Sequence, residues 1–396
     1  MNLNQTPSAN RLHIGLFGKR NSGKSALINA ITGQQIALVS DVPGTTTDPV
    51  YKSMEIHGIG PCVLIDTAGF DDEGTLGAMR VERTQRALER TELAIVVFDT
   101  ADVEKECTWV AQLRAKKIPV LAVISKADAR ADADAFKQRV QQACKLTPVI
   151  VSAQTGAGME ALMEQLIRLT PPDFGARSLV AHLVKEGDVV LLVMPQDPQA
   201  PAGRLILPQV QTIRALLEEN CTVVGTTTQG LERALTALSA PPQLIITDSQ
   251  AFQTVYAHKP EQSLLTSFSV LMAGYKGDIG AFVKGAEAID ALHAHSRVLI
   301  AEACTHAPLT EDIGREKIPR MLRKRAGETL WVDVVSGTDF PQDVSAYDLI
   351  IHCGACMFNR RLVMARIERA QAQGVPITNY GIALAKLTGI LSHITY

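Results

Sequence analysis

The chain has 396 residues, of which 46% are hydrophobic and 20% charged, and its 39 basic and 41 acidic side chains leave a formal net charge of -2. This length predicts roughly two to four domains, and the near-neutral charge argues against a nucleic-acid-binding surface. No stretch reaches about 18 uninterrupted apolar residues, and the polar first residues lack the pattern of a signal peptide. We therefore expect a cytoplasmic protein that binds neither a membrane nor a nucleic acid.

The first part of the chain, residues 1–172, alternates short apolar runs with amphipathic stretches. The runs HIGLFG, VLIDTAG, LAIVVFD, VLAVISKAD and PVIVSA each end in polar or glycine-rich segments. This alternation predicts a mostly parallel sheet with crossover helices. The same pattern continues in residues 173–262, with VVLLVMP, CTVVGTT and QLIITD, and in residues 263–396, with RVLIAEA, LWVDVVS, YDLIIHC and PITNYG. The sequence therefore predicts an α/β protein of three domains.

A phosphate-binding loop is predicted at GKRNSGKS, from Gly18 to Ser25, because this run follows an apolar strand and precedes a helical stretch. In such a loop the backbone N–H groups surround the anion. Lys24 would reach the outer phosphates, and the hydroxyl of Ser25 would bind magnesium. The pattern and its strand-loop-helix context together indicate a nucleoside triphosphatase.

Further motifs at the ends of later strands indicate that the nucleotide is a guanine nucleotide. Asp66 in DTAG would hold the magnesium shell, and the N–H of Gly69 would sense the terminal phosphate. In SKAD, the Asp128 carboxylate would accept the donors on the guanine edge while the Lys126 side chain packs on the ring. Ser152 and Ala153 follow at the position expected of the last such motif.

Residues 11–170 resemble translation-factor-type GTPases, and more narrowly the potassium-stimulated branch related to tRNA-modification GTPases. The resemblance implies potassium ligands from Asn21, Ser40, Val42 and Thr45, and a magnesium ligand from Thr46 beside Ser25 and Asp66. Lys24, Thr46 and Gly69 would act in slow GTP hydrolysis. The full set expected to bind GTP or GDP is Gly18, Asn21, Ser22, Gly23, Lys24, Ser25, Ala26, Thr45, Thr46, Asp66, Gly69, Lys126, Asp128, Ser152 and Ala153.

Two positions depart from that GTPase pattern. Ser125 stands where the guanine motif usually has asparagine, so its reach to the base is shorter. Phe70 follows the glycine of DTAG, so no glutamine is available there to orient the attacking water. We therefore expect a nucleotide switch rather than a fast catalyst.

Cysteines and histidines are concentrated in two stretches near the end of the chain, Cys304-x-His306 and His352-Cys353-x-x-Cys356. Each stretch directly follows an apolar strand, and loops beyond the carboxyl ends of parallel strands meet in one crevice. Thiolates suit zinc or an iron-sulfur cluster. The residues alone leave open a closed Cys3His zinc site, a 4Fe-4S cluster with one replaceable iron ligand, and a redox pair at Cys353 and Cys356.

The remaining cysteines, Cys62, Cys107, Cys144 and Cys221, have no partner at ligand spacing. A reducing cytoplasm does not favour a disulfide framework, and seven cysteines is an odd number. These four are predicted to be buried or incidental thiols.

The whole chain resembles the HydF family of GTPase maturation scaffolds for iron-iron hydrogenases, including RLILPQVQTIRALLE at 204–218 and HCGACMFNRR at 352–361. The resemblance implies 4Fe-4S ligation by Cys304, Cys353 and Cys356. His306 and His352 are candidates for a labile fourth ligand or for the surroundings of a di-iron precursor. The resemblance also implies a homodimer through the middle domain and the di-iron precursor as cargo. The implied partners are two radical-SAM maturases and the apo FeFe-hydrogenase.

Two other functions remain as alternatives at this point. A regulatory GTPase could carry a structural Cys3His zinc site, and the iron and sulfide content would distinguish it from a cluster protein. A tRNA-modification GTPase is the other alternative, and the absence of a basic bias in the composition argues against it.

Overall fold

The computed structural model describes residues 6–33, 50–69, 84–172, 174–175, 177–195, 205–303 and 312–396. The chain divides into two compact units, Met1–Ala176 and Arg177–Tyr396. Both units alternate strands with helices, so the predicted α/β class is confirmed.

The first unit contains a six-stranded sheet in the order β2-β3-β1-β4-β5-β6. Only β2, which pairs with β3, runs antiparallel to its neighbour. The two central strands β1 and β4 are buried along their whole length, because helices cover a parallel sheet on both faces. The strands are β1 Leu12–Gly18, β2 Val50–Ile56, β3 Gly60–Asp66, β4 Leu93–Phe98, β5 Val120–Ile124 and β6 Val149–Ile150.

The helices of the first unit bury one apolar face each. In the last of them Leu162 and Leu166, four residues apart and therefore on one face, are both fully buried. The helices described in this unit with complete bounds are α1 Lys24–Thr32, α2 Glu104–Ala115, α3 Ala133–Cys144 and α4 Met159–Leu169.

The second unit contains two four-stranded sheets, in the orders β10-β9-β7-β8 and β12-β11-β13-β14. All pairs in both sheets are parallel. The strands are β7 Val189–Val193, β8 Thr222–Thr226, β9 Leu244–Thr247, β10 Leu264–Ser267, β11 Arg297–Ala301, β12 Trp331–Val335, β13 Leu349–His352 and β14 Ile377–Asn379.

Polar residues cap several helices of this unit. The side chains of Ser267, Asn359 and Asn379 accept a hydrogen bond from the backbone N–H three residues later, which satisfies a donor that the first turn leaves unpaired. The helices are α5 Leu207–Glu218, α6 Leu231–Ala237, α7 Phe252–His258, α8 Phe268–Lys276, α9 Ile279–Ala286, α10 Ile318–Ala326, α11 Arg360–Ala372 and α12 Tyr380–Leu387.

One continuous hydrophobic core joins the two sheets of the second unit. It contains Leu191 and Ile245 from the first sheet together with Ile300 and Ile350 from the second. The predicted boundary after residue 262 stays a prediction. The strand β10 begins at Leu264, beyond that residue. It pairs with β9 and so belongs to the first of the two sheets of the second unit.

The apolar runs predicted as strands all form strands, and two further strands were not predicted. The first, β2, is an edge strand with an exposed or half-exposed face, so its sequence is not a continuous apolar run. The second, β10, has only the four residues Leu264–Ser267. No helix among the described residues is long and apolar enough to cross a membrane.

The prediction for Cys107 and Cys144 was wrong. The two residues form a disulfide that links α2 to α3, with 5.3 Å between their Cα atoms. The two cysteines are 37 positions apart in the sequence, so only the packing of the two helices brings them together. Cys62 and Cys221 are buried thiols, as predicted.

We expect this disulfide to stabilise the first unit. Closing a loop with a sequence separation of 37 residues restricts the unfolded chain, so Cys107→Ser should lower the free energy of unfolding by about 2–4 kcal/mol. Thermal unfolding measures the loss, and thiol titration of the denatured wild type should find two more thiols after reduction than before it.

The double variant with Cys144→Ser is the control. It should lose no more stability than either single variant, because both changes remove the same bond. Equal thiol counts with and without reductant would contradict the pairing.

Candidate nucleotide and metal sites

The phosphate loop connects β1 to the first turn of α1. Gly23 has a φ of 91° and Asn21 a φ of 57°, so two residues of this short loop have left-handed backbone. A side chain on Gly18 would bring its Cβ to 2.8 Å from the carbonyl oxygen of Val97, so the loop can pack against β4 only with glycine there. Because the loop leads into a helix N-terminus, unpaired backbone N–H groups face the position of an anion.

Lys24 lies across this loop. Its Nζ donates hydrogen bonds to the carbonyl oxygens of Gly18 at 3.0 Å and Lys19 at 2.7 Å, and the residue is only 7% exposed. The ammonium group is therefore held where the outer phosphates of a bound nucleotide would need a positive charge.

Ser25 and Asp66 meet at the ends of α1 and β3. Ser25 Oγ donates to Asp66 Oδ2 at 2.6 Å, and burial raises the pKa of Asp66. The second carboxylate oxygen, Oδ1, is buried and accepts no hydrogen bond from the described residues. A hydroxyl beside a buried carboxylate with unused acceptor capacity fits the hydration shell of Mg²⁺. Gly69, which the sequence predicts to sense the terminal phosphate, is buried three residues beyond Asp66.

The guanine motif is tied to the phosphate loop by two hydrogen bonds. Ser125 Oγ donates to the carbonyl oxygen of Ser22 at 2.6 Å, and Lys126 Nζ donates to that of Asn21 at 2.6 Å. Ser125 is 5% exposed, so its hydroxyl is used to join the loops. The shorter side chain at this position therefore still positions β5 against the phosphate loop.

Asp128 and Ser152, two residues predicted to bind the guanine base, are joined by a hydrogen bond. Ser152 Oγ donates to Asp128 Oδ1 at 2.5 Å, and the backbone N–H of Thr155 donates to Ser152 Oγ at 3.1 Å. Asp128 itself is exposed. This arrangement orients the carboxylate and leaves it accessible to donors on a guanine ring.

An ion pair between Lys19 of the phosphate loop and Glu106 was not predicted from the sequence. Lys19 Nζ lies 3.4 Å from Glu106 Oε2 and 3.2 Å from Asp102 Oδ2, and it donates to Thr100 Oγ1 at 3.1 Å. Burial raises the pKa of Glu106 despite the nearby ammonium group. The pair connects the second residue of the loop to α2, and no spacing in the sequence indicates it.

The Cys353 thiol lies directly beyond the end of β13. Its Sγ accepts hydrogen bonds from the backbone N–H of Ala303 at 3.0 Å and of Ala355 at 3.4 Å. Ala303 is the residue immediately before Cys304, so the two cysteine-containing loops start side by side. Backbone donors stabilise a thiolate, the form that binds metals, and the left-handed Ala355, with a φ of 54°, turns the chain between Cys353 and Cys356.

His352 is completely buried behind this loop. Its Nδ1 lies 2.8 Å from the carbonyl oxygen of Cys353, and its Nε2 lies 2.9 Å from Nη1 of Arg366. Burial, together with the Arg366 charge, lowers the pKa of His352 to about 3. Both ring nitrogens therefore have hydrogen-bond partners, and the role of His352 as a fourth ligand stays a prediction.

Several predicted site residues lie outside the described residues. They are Cys304, His306, Ser40, Val42, Thr45, Thr46 and Phe70. Within the described part of the chain, no group of three or more His, Cys, Asp or Glu side chains is arranged to hold a metal ion. Of the residues predicted for the cysteine site, the structure describes Cys353, Cys356 and His352.

Three family models match the chain. The 50S ribosome-binding GTPase model matches residues 13–126. The hydrogen maturase F dimerization domain matches residues 179–277, and the hydrogen maturase F tetramerization domain matches residues 280–395. The predicted three-domain order, with a GTPase domain first, is therefore confirmed.

Two curated GTPases each match part of the chain. GTPase Der of Wolinella succinogenes is 33% identical over 179 residues, which are 42% of this chain and 37% of that protein. The tRNA modification GTPase MnmE of Nitrosomonas europaea is 34% identical over 188 residues, 47% of this chain and 41% of that protein. The chain thus spans less than half the length of these relatives.

Among solved structures, an Era variant from Aquifex aeolicus aligns with a TM-score of 0.37 and 18% identity, over 57% of this chain and 98% of that chain. The G domain of FeoB from T. maritima aligns with a TM-score of 0.32 and 23% identity, over 41% of this chain and 99% of that chain. The family models are more informative than these alignments, since the two hydrogen maturase F models together cover more than half of the 396 residues. With both of these domains behind a GTPase domain, the chain belongs to the hydrogen maturase F (HydF) family.

Proposed function

We propose that this protein is a GTP-binding scaffold in FeFe-hydrogenase maturation, which holds a 4Fe-4S cluster and carries a di-iron precursor to the apo-hydrogenase. The observation that carries the proposal is the hydrogen bond from the N–H of Ala303 to Cys353 Sγ. It joins the residue before Cys304 to the thiol of the second cysteine stretch. Residues that are distant in sequence are thereby brought to one edge of one sheet.

The proposed cluster ligands are Cys304, Cys353 and Cys356, with His306 as a histidine candidate for the fourth ligand. Three thiolates leave one iron with a replaceable ligand, which is useful to a carrier that must bind and release its cargo. The chain's own contribution is to stabilise the thiolate form of these cysteines and to orient their side chains. For Cys353, the two backbone donors perform this task.

The proposed nucleotide cycle uses GTP, GDP, Mg²⁺ and K⁺. Lys24 would neutralise the outer phosphates, and Ser25, Thr46 and Asp66 would hold the Mg²⁺ shell. The N–H of Gly69 would contact the terminal phosphate. Potassium would be bound by Asn21, Ser40, Val42 and Thr45, and would supply the positive charge that other GTPases obtain from an arginine.

GTP turnover is proposed to change partner binding rather than the chemistry of the metal. This proposal is supported by the division of the chain, in which the phosphate loop belongs to the first unit and the cysteine stretches belong to the second. The proposed partners are two radical-SAM maturases and the apo-hydrogenase, in the cytoplasm. The dimerization and tetramerization domains support self-association of the chain.

The cluster can be tested by anaerobic reconstitution. Wild type should bind about four iron and four sulfide per chain, and Cys353→Ser or Cys356→Ser should lose most of both. Cys221→Ser is the matched control, because Cys221 is a buried thiol in the core of the same unit and should leave the cluster content unchanged. Iron and acid-labile sulfide analysis with absorption spectroscopy provides the measurement.

One zinc per chain without acid-labile sulfide would contradict the cluster and favour a regulatory GTPase with a structural zinc site. An unchanged cluster in both cysteine variants would also contradict it.

The potassium site can be tested through Asn21, an exposed residue of the phosphate loop. Replacing K⁺ by Na⁺ should slow GTP hydrolysis by more than about tenfold, because a positioned charge at the transferring phosphate is lost. Asn21→Ala should be equally slow in both salts while GDP affinity stays within about twofold. Steady-state phosphate release measures the rates.

Asn29→Ala, further along α1, is the control and should keep the wild-type preference for potassium. Equal wild-type rates in the two salts would exclude the role given to Asn21.

A further inference from the structure

A buried arginine lies behind the Cys353 loop. Arg366 is on the inward face of α11, only 1% exposed, between the rings of Phe340 and Phe358 at 4.9 and 4.7 Å from its guanidinium carbon. Its Nη2 donates to the carbonyl oxygen of Gly337 at 2.6 Å. Two aromatic faces and this hydrogen bond hold the guanidinium plane in one orientation.

That orientation determines the hydrogen-bonding state of His352. A guanidinium group can only donate, so the contact of 2.9 Å from Arg366 Nη1 requires His352 Nε2 to be the acceptor. The proton of the neutral ring must then be on Nδ1. From there it is donated to the carbonyl oxygen of Cys353 at 2.8 Å.

The chain of contacts ends at the cysteine backbone. The N–H of Cys353 donates to the carbonyl oxygen of Ala301 at 2.9 Å, while its carbonyl oxygen accepts from His352. Both peptide groups that flank the Cα atom of this residue are therefore fixed. The direction in which its side chain leaves the sheet is thereby fixed as well.

We propose that Arg366 and His352 form a positioning pair, in which the arginine fixes the imidazole and the imidazole fixes the backbone of Cys353 for metal binding. His352 is then a support of the thiolate rather than an iron ligand. This inference rests on the proposed function, since it deepens the cysteine site assigned there. The outer partners of metal ligands commonly control ligand orientation and affinity in this way.

The energetics oppose ligation by His352. Rotating the ring toward an iron atom would break its hydrogen bonds to Arg366 and to the Cys353 carbonyl. A buried guanidinium and a buried carbonyl would each lose a partner, which is unfavourable for any buried polar group and more so for a charged one. The ring is also completely buried in its present position.

The test compares His352→Ala, His352→Asn, Arg366→Met and the double variant of His352→Ala with Arg366→Met. Arg369→Met is the matched control. Arg369 lies one turn further along α11, stacks on the same Phe340 ring and donates to the carbonyl oxygen of Pro341. Circular dichroism and thermal unfolding confirm that each variant is folded.

The first readout is cluster release from reconstituted protein to a chelator. His352→Ala and Arg366→Met should each speed release by more than about fivefold, and the double variant by no more than either alone, because both act through one contact chain. His352→Asn should stay close to wild type, since its amide N–H can replace the Nδ1 donor. Additive effects, or an equal effect in Arg369→Met, would overturn the proposal.

The second readout separates a support from a ligand. Nitrogen hyperfine couplings in the electron paramagnetic resonance spectrum of the reduced cluster should be the same in wild type and His352→Asn. Removing the Arg366 charge should also make the reduction potential of the cluster more negative, because a nearby positive charge favours the reduced state. Loss of a nitrogen coupling in His352→Asn would assign His352 as a ligand.

A third readout works without any metal and so remains informative if the proposed cluster fails. In the apo-protein, amide hydrogen exchange of residues 352–358 should accelerate by more than about fivefold in Arg366→Met and stay unchanged in Arg369→Met. Unchanged exchange in Arg366→Met would overturn the positioning role. A wild type that binds no iron would reject the proposed function and leave this result standing.

Discussion

The parallel arrangement of neighbouring strands is the constraint on which both candidate sites depend. In a parallel pair the carboxyl ends lie at the same edge, so the loops that follow them meet there. Ala301 of β11 is opposite His352 of β13, and the N–H of Ala303 therefore reaches Cys353 Sγ. In the first unit, β1 and β3 bring the phosphate loop to Asp66 by the same geometry. Each site is thus a product of strand register.

Buried polar contacts hold each site in one geometry. On the nucleotide side, Ser125 and Lys126 donate to phosphate-loop carbonyl oxygens, and Lys19 pairs with the buried Glu106. On the cysteine side, Arg366 and His352 perform this role behind Cys353. Such contacts are expensive to leave unsatisfied in a low-dielectric interior, so they determine the positions of the exposed groups that they support.

Much of this architecture could be predicted from the sequence because its determinants are local. Apolar runs identified the buried strands, and GKRNSGKS indicated the phosphate loop, since glycine is required where the backbone closely approaches β4. The edge strand β2 was missed because its half-exposed pattern lacks a continuous apolar run. The Cys107–Cys144 disulfide was missed because it depends on the packing of two helices, which no local pattern reports.

The sequence by itself determined the order of the domains, the identity of the nucleotide motifs and the positions of the cysteine stretches, because each is a short run of residues with fixed spacing. Only the tertiary structure decided which of these side chains contact one another. His352 precedes Cys353 directly, so its spacing suggested a ligand. Its ring lies against Arg366, a residue on another element, because α11 packs its buried face against the sheet. Contacts between elements are set by packing, which the order of residues along one element does not specify.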